Sequence, residues 1–212
     1  MSNIRGLCDS YGLCIVVLIM LQVPYSLSGV NNMNMHEGVT TPYIVGGDVF
    51  FEIVEPSQLR YTYRIRPATN FGGEFNESFC MTNTKLVVME PIDGCTAPLN
   101  QEQLEGNVAF AVRGACSFLH KTLVAERAGA RALIVTEEDN LHDPNADLFI
   151  EMVDDKSNRE VSIPVGFLLG RNGAQIQNTL EMLDLPYALI NIPVNMTFVD
   201  IHRMNQPPWI SW

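Results

Sequence analysis

The chain has 212 residues, which suits one compact domain with a processed segment at one end. Hydrophobic residues make up 47 % of the sequence, and the formal net charge is -11 at pH 7. An acidic surface repels the phosphates of nucleic acids and of anionic membranes, so neither is expected as a partner.

The first 28 residues have the composition of a secretory signal peptide. Arg5 precedes an apolar run over residues 13–23, and small residues follow at Ser26, Ser28 and Gly29. We predict cleavage after Ser28 and secretion of the mature chain, with no membrane span after cleavage. The apolar run is shorter than the about 20 residues of a spanning helix. An uncleaved signal anchor is the alternative.

The mature chain is predicted to have three parts. Residues 29–48 lack periodicity and are expected to form a loose N-terminal extension. A domain is predicted over residues 49–195, with its core at 85–192, followed by a C-terminal tail at 196–212. The tail contains Pro207-Pro208-Trp209, which either is exposed for recognition or folds back and buries Trp209 and Trp212 on the domain.

Apolar runs and turn residues predict the elements of the domain. Val108–Val112 is typical of a strand buried on both faces, and Ser117 is suited to cap the helix that follows. Gly129 ends this helix and Ala132–Val135 is the next strand, which predicts a βαβ unit with parallel strands. A second helix begins near Gly173. Further strands are predicted at residues 49–54, 59–65, 85–89, 163–169 and 189–192.

The predicted first helix is amphipathic. Leu119, Leu123 and Val124 lie on one side, which is expected to pack on the sheet. Lys121 is predicted to lie near or on the opposite side, together with Glu126 and Arg127.

Three cysteines, Cys80, Cys95 and Cys116, would remain after signal cleavage. An odd number in a secreted chain implies one disulfide with one leftover thiol, or an intermolecular bridge. No two of them have the C-x-x-C spacing, so neither a zinc site nor thioredoxin-like chemistry is expected.

Two sequons make the chain a predicted glycoprotein. Asn76 begins Asn-Glu-Ser and Asn195 begins Asn-Met-Thr, and neither has proline in the middle. We predict N-glycosylation at both asparagines; the alternative is a sequon that is present but unused.

The centre of the domain resembles the protease-associated domain family. The residues that carry the resemblance are Val112-Arg113-Gly114-x-Cys116-Ser117-Phe118, Lys121, Ala128-Gly129-Ala130, Ala132-Leu133-Ile134-Val135, and then Ile163-Pro164-Val165 with Gly173. The resemblance implies an α/β (α+β) fold, a curved β-sheet or sandwich with a central βαβ unit and two flanking helices. It also implies that Cys95 pairs with Cys116, which leaves Cys80 without an obvious partner. A bridge of that size adds about 3 kcal/mol of stability.

Members of that family usually act as non-catalytic inserts in proteases and sorting receptors. This sequence shows no attached protease or spanning segment, so we expect action in trans. No H-E-x-x-H or G-x-S-x-G motif is present, and no histidine joins a nucleophile in a motif. Cys116 and Ser117 lie at a helix start, where a nucleophile could form. The preferred interpretation is that Cys116 is half of a disulfide and that Ser117 caps the helix.

Two other features have a functional and a structural interpretation. Arg113 either anchors a carboxylate of a partner or, as we prefer, pairs internally and supports its turn. An acidic stretch could bind calcium, but it lacks the spacing of an EF-hand, and a solvated loop is preferred. Its members are Asp139, Asp143, Asp147, Glu151, Asp154 and Asp155.

Together these features predict a secreted, N-glycosylated, non-catalytic protein that binds a protein or peptide or modulates a protease. The expected partner is a secreted protein, a protease or a peptide, and no cofactor or metal is expected. The alternatives are a luminal factor for sorting or folding of secretory proteins and a hydrolase with an unrecognised site.

Overall fold

The computed structural model describes residues 44–45, 47–76, 78–137, 148–196, 199 and 203–210. All of them belong to the structural unit Thr41–Trp212. The predicted signal peptide and most of the predicted N-terminal extension lie outside the described residues. No helix in the described part of the chain is long and apolar enough to cross a membrane.

Strands dominate the described chain, and the helices lie between them. The elements are β1 (Ile44–Val45), β2 (Asp48–Glu55), a short 3-10 helix (Ser57–Leu59), β3 (Thr62–Pro67), β4 (Met81–Val88), α1 (Gln101–Leu104), β5 (Val108–Val112), α2 (Phe118–Arg127), β6 (Ala132–Thr136), β7 (Val165–Leu168), α3 (Gly170–Met182) and β8 (Tyr187–Ile192).

The sheet closes on itself. Its strand order is β1-β2-β3-β7-β6-β5-β4-β8, and β8 also pairs with β2. Strands β2 to β8 therefore form a closed, barrel-like ring, whereas the family resemblance implies a curved β-sheet or sandwich. One reason is a register shift in β2 between Ile53 and Glu55, where the strand pairs with β8. Such bulges bend a strand and allow it to bridge two neighbours.

The predicted βαβ unit is present. β5 and β6 are parallel, with Phe110 opposite Ile134. The Ser117 side chain accepts a hydrogen bond from the His120 amide at 3.1 Å and caps α2. Gly129 follows the helix with φ +85°, a left-handed conformation that suits glycine.

Two hydrophobic clusters explain why the central strands are apolar on both faces. Phe51, Tyr63 and Phe110 belong to a cluster to which all seven strands of the ring contribute, so this cluster fills the barrel. Leu133 and Val124 belong to the second cluster, which lies between α2 and the outer face of the parallel strands. Because side chains alternate along a strand, one strand supplies both clusters.

The C-terminal segment folds back on the domain. The Trp209 indole Nε1 donates to Asn172 Oδ1 at 2.9 Å, and its ring meets Tyr61 edge-on at 5.3 Å. The Thr62 amide donates to the Asn205 carbonyl at 2.8 Å. The segment Pro207-Pro208-Trp209 therefore folds back on the domain and leaves Trp209 half-buried. Trp212 lies outside the described residues.

Candidate functional site

A long connection between β4 and α1, residues 89–100, forms one wall of the candidate site; we call it the 89–100 loop. Its disulfide joins Cys95 to Cys116, with an S–S distance of 2.02 Å and a Cα–Cα distance of 5.8 Å. This is the pairing that the family resemblance implies. Cys80 is disulfide-bonded as well, so the structure does not leave it without a partner.

Lys121 is buried beside this disulfide, with 0 % of its surface exposed. Its Nζ donates to the Gly114 carbonyl at 2.7 Å and to the Asp93 carbonyl, and it lies 3.3 Å from Cys95 Sγ. Burial lowers the pKa of this lysine, and Asp93 opposes the shift. Lys121 is nevertheless buried, because the 89–100 loop covers this side of α2 and supplies an acceptor for the ammonium.

His120 connects the 89–100 loop to a second polar group. Its Nε2 lies 3.0 Å from the Cys95 carbonyl, and its Nδ1 lies 2.7 Å from Arg159 Nη1. Because arginine only donates, Nδ1 accepts, and the ring proton sits on Nε2 and is donated to Cys95. Arg159 also pairs with Asp155 at 2.6 Å. Hydrogen bonds, that of Ser117 foremost, lower the pKa of Asp155.

The two residues considered as a nucleophile have structural roles. Cys116 is a half-cystine. The Ser117 hydroxyl donates to Asp155 Oδ2 and accepts from the His120 amide, so it caps α2 as the sequence predicts.

Arg113 makes an internal ion pair. Its Nη1 lies 2.8 Å from Glu137 Oε2, and 45 % of the arginine side chain is exposed. The Arg113 amide also donates to the Thr136 carbonyl at 2.7 Å. These contacts tie the turn after β5 to the end of β6.

The described part of the acidic stretch makes local hydrogen bonds. Asp154 accepts from the Lys156 amide at 2.9 Å, and Asp155 from Arg159. Asp139, Asp143 and Asp147 lie outside the described residues. Among the residues that the structure describes, no group of three or more His, Cys, Asp or Glu side chains could hold a metal ion.

Both sequons lie near one end of the barrel. Asn76 precedes β4 and Asn195 follows β8. Met81 and Ile192 are paired in the antiparallel ladder of these strands, so the two asparagines share that end. Asn76 Oδ1 accepts from the Ser78 amide at 3.0 Å. Glycosylation of either residue stays a prediction.

A groove of about 890 Å³ lies at the opposite end of β4 and β8. Val87 pairs with Tyr187 there, where β4 ends and β8 begins. One wall comes from residues 88–99 and the other from residues 177–186, at the end of α3. Sequence reasoning missed this groove, because its walls are almost 80 residues apart in the chain and meet only in the fold.

The groove combines exposed apolar side chains with carboxylates. Leu99 is 87 % exposed and Leu185 is 40 % exposed. Glu90, Glu181 and Asp184 contribute exposed carboxylates, and no lysine, arginine or histidine is among the lining residues. The sequence shows only that Leu99 lies in a turn-rich segment, which predicts a loop but not a groove.

The 89–100 loop is held rigidly as a groove wall. The Asn100 side chain donates to the Val88 carbonyl at 2.7 Å and accepts from the Glu90 amide at 3.1 Å. The Leu99 amide donates to the Glu90 carbonyl at 2.6 Å. With the disulfide, these contacts fix both ends and the middle of the loop.

Comparison with known proteins agrees with the fold. The family model described as "PA domain" matches residues 82–176. A Drosophila melanogaster protein named "PRADC1-like protein" is 49 % identical over 174 residues, which cover 82 % of this chain and 87 % of that protein. The chain therefore belongs to the protease-associated domain family. Within it, the chain is similar over nearly its whole length to this PRADC1-like protein, and the predicted family resemblance is confirmed.

More distant similarities cover only part of other proteins. A Xenopus laevis "ER degradation-enhancing alpha-mannosidase-like protein 3" is 28 % identical over 112 residues, or 52 % of this chain and 12 % of that protein. The solved structure of a zinc aminopeptidase from Bacillus subtilis has a TM-score of 0.43 and 16 % identity, over 67 % of this chain and 28 % of that one.

Proposed function

We propose that this chain is a secreted, N-glycosylated, non-catalytic binding module that engages a protein or peptide through the groove between the 89–100 loop and the end of α3. The observation that carries the proposal is the pair of exposed leucines, Leu99 and Leu185, in a groove of about 890 Å³. Exposed apolar side chains grouped in a concavity mark interaction sites.

The rigidity of the groove wall supports binding. A wall that is already ordered loses little conformational freedom when a ligand binds, so more of the interaction energy is retained as affinity. The disulfide Cys95–Cys116 and the buried Lys121 supply that order.

The lining chemistry favours binding over catalysis. The lining residues include no histidine, cysteine, serine or lysine, so the only groups among them that could act as nucleophiles are the Thr96 hydroxyl and the carboxylates of Glu90, Glu181 and Asp184. Its carboxylates are exposed to solvent, which does not favour a shift of their pKa toward the values useful in catalysis.

The test is capture of proteins from conditioned medium by three tagged forms: the wild type, Leu99→Ser/Leu185→Ser, and the matched control Leu148→Ser/Val153→Ser. The control removes exposed apolar side chains that do not line the groove. We expect a near-stoichiometric protein that the wild type and the control retain and the groove variant loses. Equal capture by all three forms would overturn the groove as the binding site.

A second candidate role is that of a luminal accessory factor in the secretory pathway. It is favoured by the 28 % identity to the mannosidase-like protein whose name refers to degradation in the endoplasmic reticulum. A pulse-chase measurement of the tagged chain separates the two roles. Quantitative release into the medium supports the secreted module, and retention in the cell supports the luminal factor.

A further inference from the structure

The rim of the groove carries unbalanced negative charge. Glu90 contributes one carboxylate from the 89–100 loop, and Glu181 and Asp184 contribute two from the end of α3. No basic side chain lines the groove, and the whole chain carries a net charge of -11. A cationic group that enters the groove is therefore attracted by all three carboxylates.

The end of α3 adds to this negative potential. The carbonyl groups at a helix C-terminus carry partial negative charge, so basic residues there are stabilising and acidic residues are not. α3 has no basic residue in its last turn but has Glu181 there, and Asp184 follows two residues after the helix. Asp184 also adopts φ +52°, a conformation that favours glycine or asparagine. These carboxylates do not stabilise the end of the helix, and they would favour a cationic group that binds beside it.

The apolar surface lies between these charges. Leu99 and Leu185 are exposed, and Ile92 is half-buried beside them in the lining. A ligand that matches the groove must therefore offer an apolar side chain together with flanking positive charge. Phosphate-bearing surfaces such as nucleic acids do not match it.

The segments of the predicted mature chain that lie outside the described residues do not supply such a ligand. Residues 29–43 and 138–147, which lie outside the described part, contain no lysine or arginine. A second copy is disfavoured by its own charge of -11. The occupant is therefore a different protein.

The predicted glycans leave the groove open. The eight residues of β4, at about 3.3 Å each, place its two ends roughly 25 Å apart. The sequons are near one end and the groove is at the other.

We infer that the groove binds an extended segment of a partner protein in which an apolar side chain is flanked by lysine or arginine. This inference rests on the proposed function, because it names the ligand class of the same groove.

The test is fluorescence anisotropy of two labelled ten-residue peptides with the purified glycosylated chain. One peptide alternates leucine with lysine and arginine, and the other alternates leucine with glutamate and aspartate. The protein forms are the wild type, Glu90→Gln/Glu181→Gln/Asp184→Asn, and the control Glu55→Gln/Glu151→Gln/Glu160→Gln. The control changes net charge equally, at exposed carboxylates outside the lining.

We expect the basic peptide to bind the wild type and the control alike. With the Glu90→Gln/Glu181→Gln/Asp184→Asn variant, the Kd of the basic peptide should be about tenfold higher, since each carboxylate contributes a few tenths of a kcal/mol or more. Affinity should also fall with added salt. An equal loss in both variants would mean attraction by net charge alone and would overturn the inference. So would equal binding of the acidic peptide.

The two proposals fail separately. Suppose that the Leu99→Ser/Leu185→Ser variant no longer captures the protein while the wild type binds the basic and acidic peptides equally. In that case the groove binds a ligand of another class, and the proposed function stands. If capture is unaffected by the leucine changes, the proposed function fails, whatever the peptide does.

Discussion

At the scale of single residues, Lys121 holds the 89–100 loop that forms one wall of the candidate site. Its ammonium joins three segments, because it bonds the carbonyls of Asp93 and Gly114 from its own position in α2. It also lies against both sulfurs of the disulfide, at 3.3 Å from Cys95 Sγ and 3.6 Å from Cys116 Sγ. The cost of burying the charge, seen in the lowered pKa, is offset by these acceptors.

Lys121→Met should lower the free energy of unfolding by about 2 kcal/mol or more. Methionine fills the space and removes the buried charge, but two carbonyl groups lose their donor, at about 1–3 kcal/mol each. Urea denaturation with the disulfide intact measures the change. Lys156→Met, the same substitution at an exposed residue, is the control and should stay within about 0.5 kcal/mol of wild type. If Lys121→Met leaves the free energy of unfolding unchanged, the ammonium does not hold the 89–100 loop.

At the scale of elements, the approach of α3 to β6 depends on a glycine. A Cβ at Gly173 would lie 2.0 Å from Thr136 Oγ1 and 2.5 Å from Thr136 Cβ. Thr136 is fully buried at the end of β6, so its branched side chain has no room to move. Only glycine allows this helix to lie so close to the strand, and α3 in turn carries one wall of the groove.

Gly173→Ala should destabilise the domain by about 1–3 kcal/mol, because overpacking exceeds the gain of about 1 kcal/mol in helix propensity. Thermal unfolding followed by circular dichroism measures this as a lower Tm. Asn178→Ala, on the exposed face of the same helix, is the matched control and should leave the Tm unchanged or slightly raised. Similar Tm values for the two variants would contradict the close packing.

The elements that the sequence predicts well are those specified locally. β5, α2 and β6 follow from apolar runs, from the Ser117 cap and from Gly129, all within about 30 residues. The burial of Lys121 could not be predicted, since two of its partners, Asp93 and Cys95, precede α2 by more than 20 residues. The groove depends in the same way on the meeting of two distant segments.

At the scale of the whole molecule, two long-range contacts complete the domain. One is the pairing of β2 with β8, in which Glu52 lies opposite Asn191. Periodicity predicts each strand but not this partner, so the closed ring could not be predicted from the sequence. The other is the docking of the C-terminal segment, in which Trp209 reaches the buried Asn172.

Trp209→Phe should lower the free energy of unfolding by about 1–3 kcal/mol. Phenylalanine keeps a six-membered aromatic ring, but Oδ1 of Asn172, a residue that is 1 % exposed, loses the indole donor. Urea unfolding again measures the change, and Pro208→Ala, an exposed neighbour, is the control. A loss equal to that of the control would mean that the tail docks by ring packing alone.

Closure of the sheet limits how any partner can attach. In the described part of the chain, every strand of the ring has a neighbour on both sides, and the two-residue β1 is too short to template a further strand. Among the described residues, no strand of the ring therefore offers a whole unpaired edge for strand addition, in which a peptide extends a sheet through its backbone. The same closure protects the molecule from edge-to-edge aggregation at high concentration, and it leaves side-chain recognition as the basis of selectivity.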